Sequence, residues 1–387
     1  MTKVKLILLC IIILINSIFV TGCWNYREIE SLAIVAGAAV DKGENARYRM
    51  TVEVVKISGG KDTKTESKLI SVEGDTIFEC ARNAISLSGK KLYWSHTKIL
   101  IISKAIAEDG VIDMIDWFNR DSETRSSIHL LMSAEKTAEE IFKGGEVTES
   151  IKSFELEDMI KNEDRLSKAP KTEIWEFANN MGGEGIEASI ATLKMKESEK
   201  GKVPSVGGTA IFKGDKLVGV LDEEETKDML FIRNKIKGGI IVQNVEAKKN
   251  KKQIPIALEI FKSKTKLKPI INKGKIKFDI SVQTIVSLGE LGGSINLIDQ
   301  KGRDELIKIT EASLEKRLKK TVKKIQQEFG SDILGFGMKI YEDDYESWKN
   351  VKNNWEERFK NIEVTVKAKV RIKNSAMLSK PLEAKIK

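Results

Sequence analysis

The sequence predicts an α+β protein of three domains, with helices packed on one face of mixed or antiparallel sheets. Three observations lead there. Stretches that alternate apolar and polar residues are interleaved with stretches of helical period along most of the chain. The 387 residues allow two or three domains of ordinary size. No repeat of fixed period is visible, which sets aside solenoids and propellers.

The first element stands apart from the fold. Lys3 and Lys5 precede an apolar run over 6–20, broken only by Asn16 and Ser17 and followed by the small residues Thr21 and Gly22. That order is a secretory signal over 1–22. The run is shorter than the ~20 apolar residues of a spanning helix, so a permanent span is not expected. Val20-Thr21-Gly22-Cys23 resembles a bacterial lipobox, with cleavage after Gly22 and a diacylglyceryl group on the Cys23 sulfur. An ordinary signal peptide with a coincidental cysteine is the alternative. Two acyl chains anchor a protein stably where one does not, so the mature chain is expected to be tethered by its N-terminus to the outer face of a membrane. Cys10 leaves with the signal, and Cys80, on the apolar side of a helical stretch over 76–87, is expected in the core.

An N-terminal α+β domain is expected over 23–145. Residues 32–40 and 47–57 read as strands around a turn, 59–67 as a polar loop, and 68–72 as a short strand. A helix follows with Asp75 as its N-cap. Residues 98–103 form a buried-type strand, 105–119 a helix despite Gly110, 128–132 a strand and 137–142 a helix. A middle domain over 146–236 has helical periodicity to about 180, a glycine cluster at 182–185 and a strand over 186–195. A linker is expected over 198–205, then a hairpin over 209–220 turning at Lys213-Gly214-Asp215. The C-terminal domain, 237–387, shows strand-like runs at 239–245, 254–261 and 275–287, then a long helix over 304–329. That helix carries an apolar stripe of Ile307, Leu314, Leu318, Val322, Ile325 and Phe329. A second helix over 345–359 and a strand over 362–372 complete it.

Composition narrows the function classes. Hydrophobic residues make up 41% and charged residues 32%, fitting neither a disordered chain nor a multi-span membrane protein. A net charge of +9 suits an anionic partner, a membrane surface or nucleic acid. His96 and His129 are the two histidines of the chain, which removes multi-histidine metal centres. There is no Walker motif, GxGxxG, GxSxG or aromatic-basic RNA signature. Glu223, Glu224 and Glu225 are adjacent, so they do not set two carboxylates across a sugar; with Asp343 and Asp344 they read as helix starts. Lys262, Lys264, Lys266 and Lys268 alternate and share one strand face. Two readings stand for them: a solvated or edge strand, or a contact with anionic lipid headgroups. Lys248–Lys252 reads as a charged hairpin tip and Lys316–Lys324 as the wet face of the long helix. Trp24 is expected at the headgroup level, with Arg27 and Glu28 placed for a membrane partner.

Four stretches, taken in order, resemble one family. They are Gly22-Cys23-Trp24-Asn25-Tyr26-Arg27-Glu28-Ile29-Glu30; Tyr93-Trp94-Ser95-His96-Thr97-Lys98 with Arg120-Asp121-Ser122-Glu123-Thr124-Arg125; Gly208-Thr209-Ala210-Ile211-Phe212 through Lys237-Gly238-Gly239; and Asp332-Ile333-Leu334-Gly335-Phe336-Gly337 with Trp348, Trp355 and Phe359. Together with the lipobox they resemble the C-subunit lipoproteins of bacterial spore germinant receptors, the Ger(x)C family. The family usually has Asp at the position of Asn25 and Gly at that of Ser95. Its usual glycine after the last strand is missing near Asn374 to Ala376. The resemblance implies a three-domain α+β architecture and a non-enzymatic, lipid-anchored subunit. That subunit joins two integral-membrane subunits, of A and B type, at the inner spore membrane. It implies no cofactor beyond the lipid on Cys23, no nucleic acid, and no catalytic residues to carry over. The competing expectation is a lipid-anchored solute-binding protein that captures a small ligand on its own.

Overall fold

The computed structural model describes residues 2–19, 31–58, 64–199, 201–246, 253–272, 274–291 and 300–375. Cys23, Gly22, Trp24, Arg27, Glu28 and the tip at 248–252 lie outside the described residues. Helix α1 (Thr2–Phe19) carries the N-terminal apolar run. Among the described residues no helix is long and apolar enough to cross a membrane.

The first unit is a nine-stranded mixed sheet. In chain order its elements are β1 (Leu32–Lys42), β2 (Tyr48–Ser58), β3 (Lys64–Gly74), α2 (Ile77–Ser88), β4 (Lys91–Tyr93), β5 (Ile99–Ser103), α3 (Lys104–Asp109), α4 (Ile112–Arg120), β6 (His129–Ser133), α5 (Glu139–Phe142), α6 (Lys152–Leu166), α7 (Ile174–Gly182), β7 (Ser189–Ser198), β8 (Gly201–Lys213) and β9 (Lys216–Leu221). The strand order is β3-β2-β1-β5-β6-β7-β8-β9, with β4 beside the start of β1. Strands β1, β5, β6 and β7 run parallel at its centre. Strands paired in parallel at a sheet's centre are buried on both faces, which is why β1 and β5 read as near-continuous aliphatic runs. One core joins Val35, Val40, Leu100, Ile102, Phe118 and Phe177 beneath α2, α3, α4 and α7. Another, on the opposite face, joins Ala39, Ile99, Ile101, Leu131, Leu156 and Ile160 beneath α5 and α6. Helices therefore cover both faces of this sheet's centre.

Several local expectations are corrected here. Lys64–Ser67 belong to β3 and not to a loop, because β2 runs long enough to pair with them. Thr76, not Asp75, caps α2 by accepting the Glu79 amide at 3.0 Å, while the Asp75 carboxylate accepts the Arg47 amide. Gly110, at φ 125°, splits the helix expected over 105–119 into α3 and α4. The linker expected over 198–205 is a hairpin, with Ser198 paired to Gly201 and Glu197 to Lys202. The sheet also continues across the boundary expected at 145/146, since β6 pairs with β7 on either side of it.

The second unit begins with α8 (Glu223–Ile232) and builds a four-stranded sheet from β10 (Ile240–Glu246), β11 (Gln253–Asn272), β12 (Lys275–Leu291) and β13. Between the last two strands come α9 (Gln300–Lys324) with a five-residue π-turn to Phe329, α10 (Phe336–Asp343), α11 (Tyr345–Val351) and α12 (Trp355–Lys360), before β13 (Glu363–Ser375). Strands β10 to β12 are antiparallel and β13 joins β12 in parallel. Here helices cover one face. Alternating residues such as Leu258, Phe278, Ile280, Val282, Val366 and Val370 point into a core shared with Leu314, Leu318, Val322 and Phe359.

Candidate functional site

Two of the recognisable stretches meet where the units join. The segment 330–337 leaves the π-turn after α9 and runs along the first unit. There the Glu187 amide donates to the Asp332 carbonyl (3.0 Å), the Ser331 hydroxyl to the Phe212 carbonyl (2.5 Å), and the Met338 amide to the Gly185 carbonyl (2.7 Å). Helix α10 has Gly335 at its N-cap, which offers no side chain to its first amides. The buried Asp332 carboxylate supplies what is missing. It accepts the Phe336 amide at 3.1 Å, the Gly337 amide at 2.8 Å and the Trp355 indole N–H at 3.0 Å. Burial is the dominant influence on this acid and pushes its pKa up to about 6, against the pull of its hydrogen bonds.

The glycines are required by proximity. A Cβ on Gly337 would sit 2.7 Å from the Gly185 Cα and 2.8 Å from the Trp355 ring. Aromatic rings fill the space around this contact: Phe336 stacks on Phe278 at 4.3 Å and meets Phe359 edge-on, while Trp348 and Trp355 pack at 5.3 Å. The Trp348 indole donates to Glu184 at 2.7 Å across the junction. Arg233, just past the end of α8, is largely buried near it and donates to the Ser189 hydroxyl at 3.3 Å. A shallow cleft of about 450 Å³ opens above, lined by the 183–187 loop, Asp332, Trp348, Lys352 and Trp355. Each oxygen of Asp332 is engaged by a fixed donor, so the acid does not face the cleft as a free proton acceptor. The arrangement is a clamp between two sheets.

Buried carboxylates perform the same local task elsewhere. Glu53 on β2 accepts the Lys152 and Ser153 amides, both at 2.8 Å, and the Ser153 hydroxyl at 2.5 Å. This caps α6, whose own N-cap Ile151 has no side-chain acceptor. Asp41 on β1 likewise accepts the Ala138 and Glu139 amides. Gly37 lets α6 approach β1, since a Cβ there would lie 2.1 Å from the Ser153 Oγ.

The residues singled out in the sequence are dispersed. Lys262, Lys264, Lys266 and Lys268 are exposed on one face of β11. β11 has β10 beside it only over Gln253–Glu259; further along, Thr265 is tied instead to Asn234 and Phe231 at the end of α8. Glu223 opens α8 as expected, and Asp222 with Glu225 forms a capping box. Hydrogen bonding from Lys168, with Lys194 also in contact, holds Glu223 down to about 2. Asp344 caps α11, but Asp343 ends α10 and does not start a helix. Cys80 is buried, and burial pushes its thiol up to about 11. His129 opens β6 with its pKa lowered by burial, and His96 lies against Tyr93. Trp94 is buried edge-on to Trp117 and Phe118, and the Ser95 hydroxyl donates to the Glu123 carbonyl, closing the second recognisable stretch. Among the described residues no group of three or more His, Cys, Asp or Glu is placed to hold a metal ion. The role of Asp332 was not read from the sequence; its signal was an acid followed at short range by Gly335 and Gly337.

An α+β chain of two joined sheets with this clamp is a protein whose conspicuous buried polar groups hold elements together. Residues 25–195 match the family model described as the spore germination protein N-terminal domain, and 207–376 the model described as spore germination B3/GerAC like, C-terminal. Spore germination protein B3 of Bacillus subtilis (strain 168) is 29% identical, covering 87% of this chain and 90% of that one. Spore germination protein KC of the same strain is 25% identical, covering 99% of both. The crystal structure of the GerBC protein superposes with a TM-score of 0.57 at 25% identity, covering 87% of this chain and 97% of that one. The chain belongs to this family of spore germination proteins, the Ger(x)C family.

Proposed function

We propose that this protein is a non-enzymatic subunit of a spore germinant receptor, anchored through a diacylglyceryl group on Cys23. It stands on the outer face of the inner spore membrane and couples to two integral-membrane subunits of A and B type. The observation that carries the reading is the end-to-end match to spore germination proteins, which spans both units in one chain. The lipobox-like Val20-Thr21-Gly22-Cys23 supports the anchor. The clamp around Asp332 supports a mechanical role, because it makes the two sheets one body able to transmit a displacement. Trp24, Arg27 and Glu28, next to the anchor, are the proposed contacts with the membrane and its partners.

The test is affinity isolation from detergent-solubilised spore membranes, comparing the native chain with Cys23→Ala. Co-isolation of two multi-span subunits, reduced in the variant, is the expected result. Recovery of the protein alone with a bound small molecule overturns it in favour of an independent solute-binding lipoprotein.

A further inference from the structure

The face of the second sheet that the helices leave open carries a field of cations. On β11 these are Lys262, Lys264, Lys266 and Lys268; on β13 they are Lys367, Lys369, Arg371 and Lys373, all exposed. The register aligns them across β12 in rows: Lys262 with Ile285 and Arg371, Lys264 with Gln283 and Lys369, Lys266 with Ser281 and Lys367. Cations thus repeat about every 7 Å along each strand and lie about 10 Å apart across the uncharged middle of β12. None of Lys262, Lys264, Lys266, Lys268, Lys367, Lys369 or Arg371 has a carboxylate within ion-pair distance among the described residues, and Lys373 lies over the Phe261 ring at 4.4 Å. Glu246, Glu259, Asp279, Glu290 and Glu363 share the face; Glu363 is taken by Lys277 at 2.6 Å. Along the β10 side the same face exposes Ile240, Val242 and Phe261, between half and two-thirds accessible.

We propose that this open face docks onto the surface of an anionic phospholipid bilayer. A single small anion would be gathered by converging donors, whereas these cations are spread over a broad pleated plane. Lysines outnumber arginine, which suits diffuse attraction to many phosphates better than bidentate pairing with a carboxylate partner. The apolar margin at Ile240, Val242 and Phe261 supplies groups that enter the headgroup layer beside the charges. Docking would lay the second unit against the bilayer and fix the orientation of a chain otherwise held only at its N-terminus. The inference rests on the proposal that the protein works at a membrane.

The test uses the full chain carrying Cys23→Ala, in co-sedimentation with phosphatidylcholine vesicles and with phosphatidylcholine vesicles containing phosphatidylglycerol. The N-terminal apolar segment is common to every variant and sets the baseline on neutral vesicles. Binding to the anionic vesicles should exceed that baseline and weaken with added salt. The variant Lys264→Glu, Lys266→Glu, Lys367→Glu, Lys369→Glu should lose roughly 600-fold in affinity for anionic vesicles, each lysine near the surface contributing about fivefold. A control with the same change in net charge on the wet face of α9, Lys316→Glu, Lys319→Glu, Lys320→Glu, Lys323→Glu, should bind like the parent. All eight positions are exposed, and matching thermal unfolding checks that each variant folds. Equal loss in both variants, or no preference for anionic vesicles, overturns the proposal. So does unchanged vesicle binding by the sheet-face variant with loss of a protein partner. Failure of the anchor would show separately, as an unmodified Cys23 in mass spectrometry of the native chain from spore membranes.

Discussion

Replacing Asp332 by Asn tests the clamp through its pH dependence. The acid titrates near 6 in the folded protein against an ordinary value of 3.8, with burial as the dominant cause. An acid whose pKa is raised on folding binds its proton more tightly in the native state. Its favourable contribution is therefore complete below about 3.8 and is lost as pH rises through about 6. At about 1.4 kcal/mol per pH unit, the gap corresponds to about 3 kcal/mol. Asn keeps the shape and one acceptor oxygen but cannot titrate. The variant leaves at least one of three buried donors without its acceptor, a pH-independent cost of about 1–3 kcal/mol. Urea unfolding of both proteins at a series of pH values between 4 and 8 measures the difference. The stability of the native chain relative to Asp332→Asn should fall by about 2–3 kcal/mol across that range. A difference that does not change with pH would refute the argument, because it would mean that the carboxylate has an ordinary pKa and is not held in a dry clamp.

Other expectations follow from the same contacts. Glu53→Ala removes the acceptor for two amides and a hydroxyl at the start of α6 and should cost about 3 kcal/mol in chemical denaturation. Gly337→Ala forces a Cβ against Gly185 and Trp355, so a loss of about 1–3 kcal/mol is expected, with changed near-ultraviolet circular dichroism from the tryptophans. Glu223→Gln should leave stability at neutral pH lower by no more than about 1 kcal/mol, since its lysine partners are partly exposed. It should also reduce the native protein's loss of stability as pH falls from 4.5 through about 2, by removing the share that Glu223 carries, read from acid titration of unfolding. The Cys80 thiol should resist iodoacetamide at neutral pH in the folded chain and react on unfolding, followed by peptide mass; rapid modification of folded protein would contradict its burial.

Much of the fold was written locally. The aliphatic runs of β1 and β5, the hairpin turning at Gly214, the capping box at Asp222 and the apolar stripe of α9 all depend on near neighbours or on a short period. The α+β class and the family resemblance were legible for that reason: each rests on strings of adjacent residues. The same locality explains the misreadings. Residues 64–67 and 201–205 are polar and look like loop, but long partner strands draw them into pairing. On α7, Trp175 is 47% exposed beside the buried Ile174 and Phe177, because the helix presents a narrower face to the core than its apolar content suggests.

By itself, then, the sequence determined most of the strands and helices, where the thiol of Cys80 goes, and which family the chain resembles. Tertiary structure alone decided that Glu53 and Asp41 serve as caps. In the Glu53 and Asp41 contacts, acceptor and amides are separated by roughly a hundred residues, and hydrogen bonds carry no mark of that distance in the sequence. It also decided that the lysines of β11 share a surface with the cations of β13. Period-two alternation places a side chain on one face of its own strand, but which strands lie side by side is settled only when the sheet assembles.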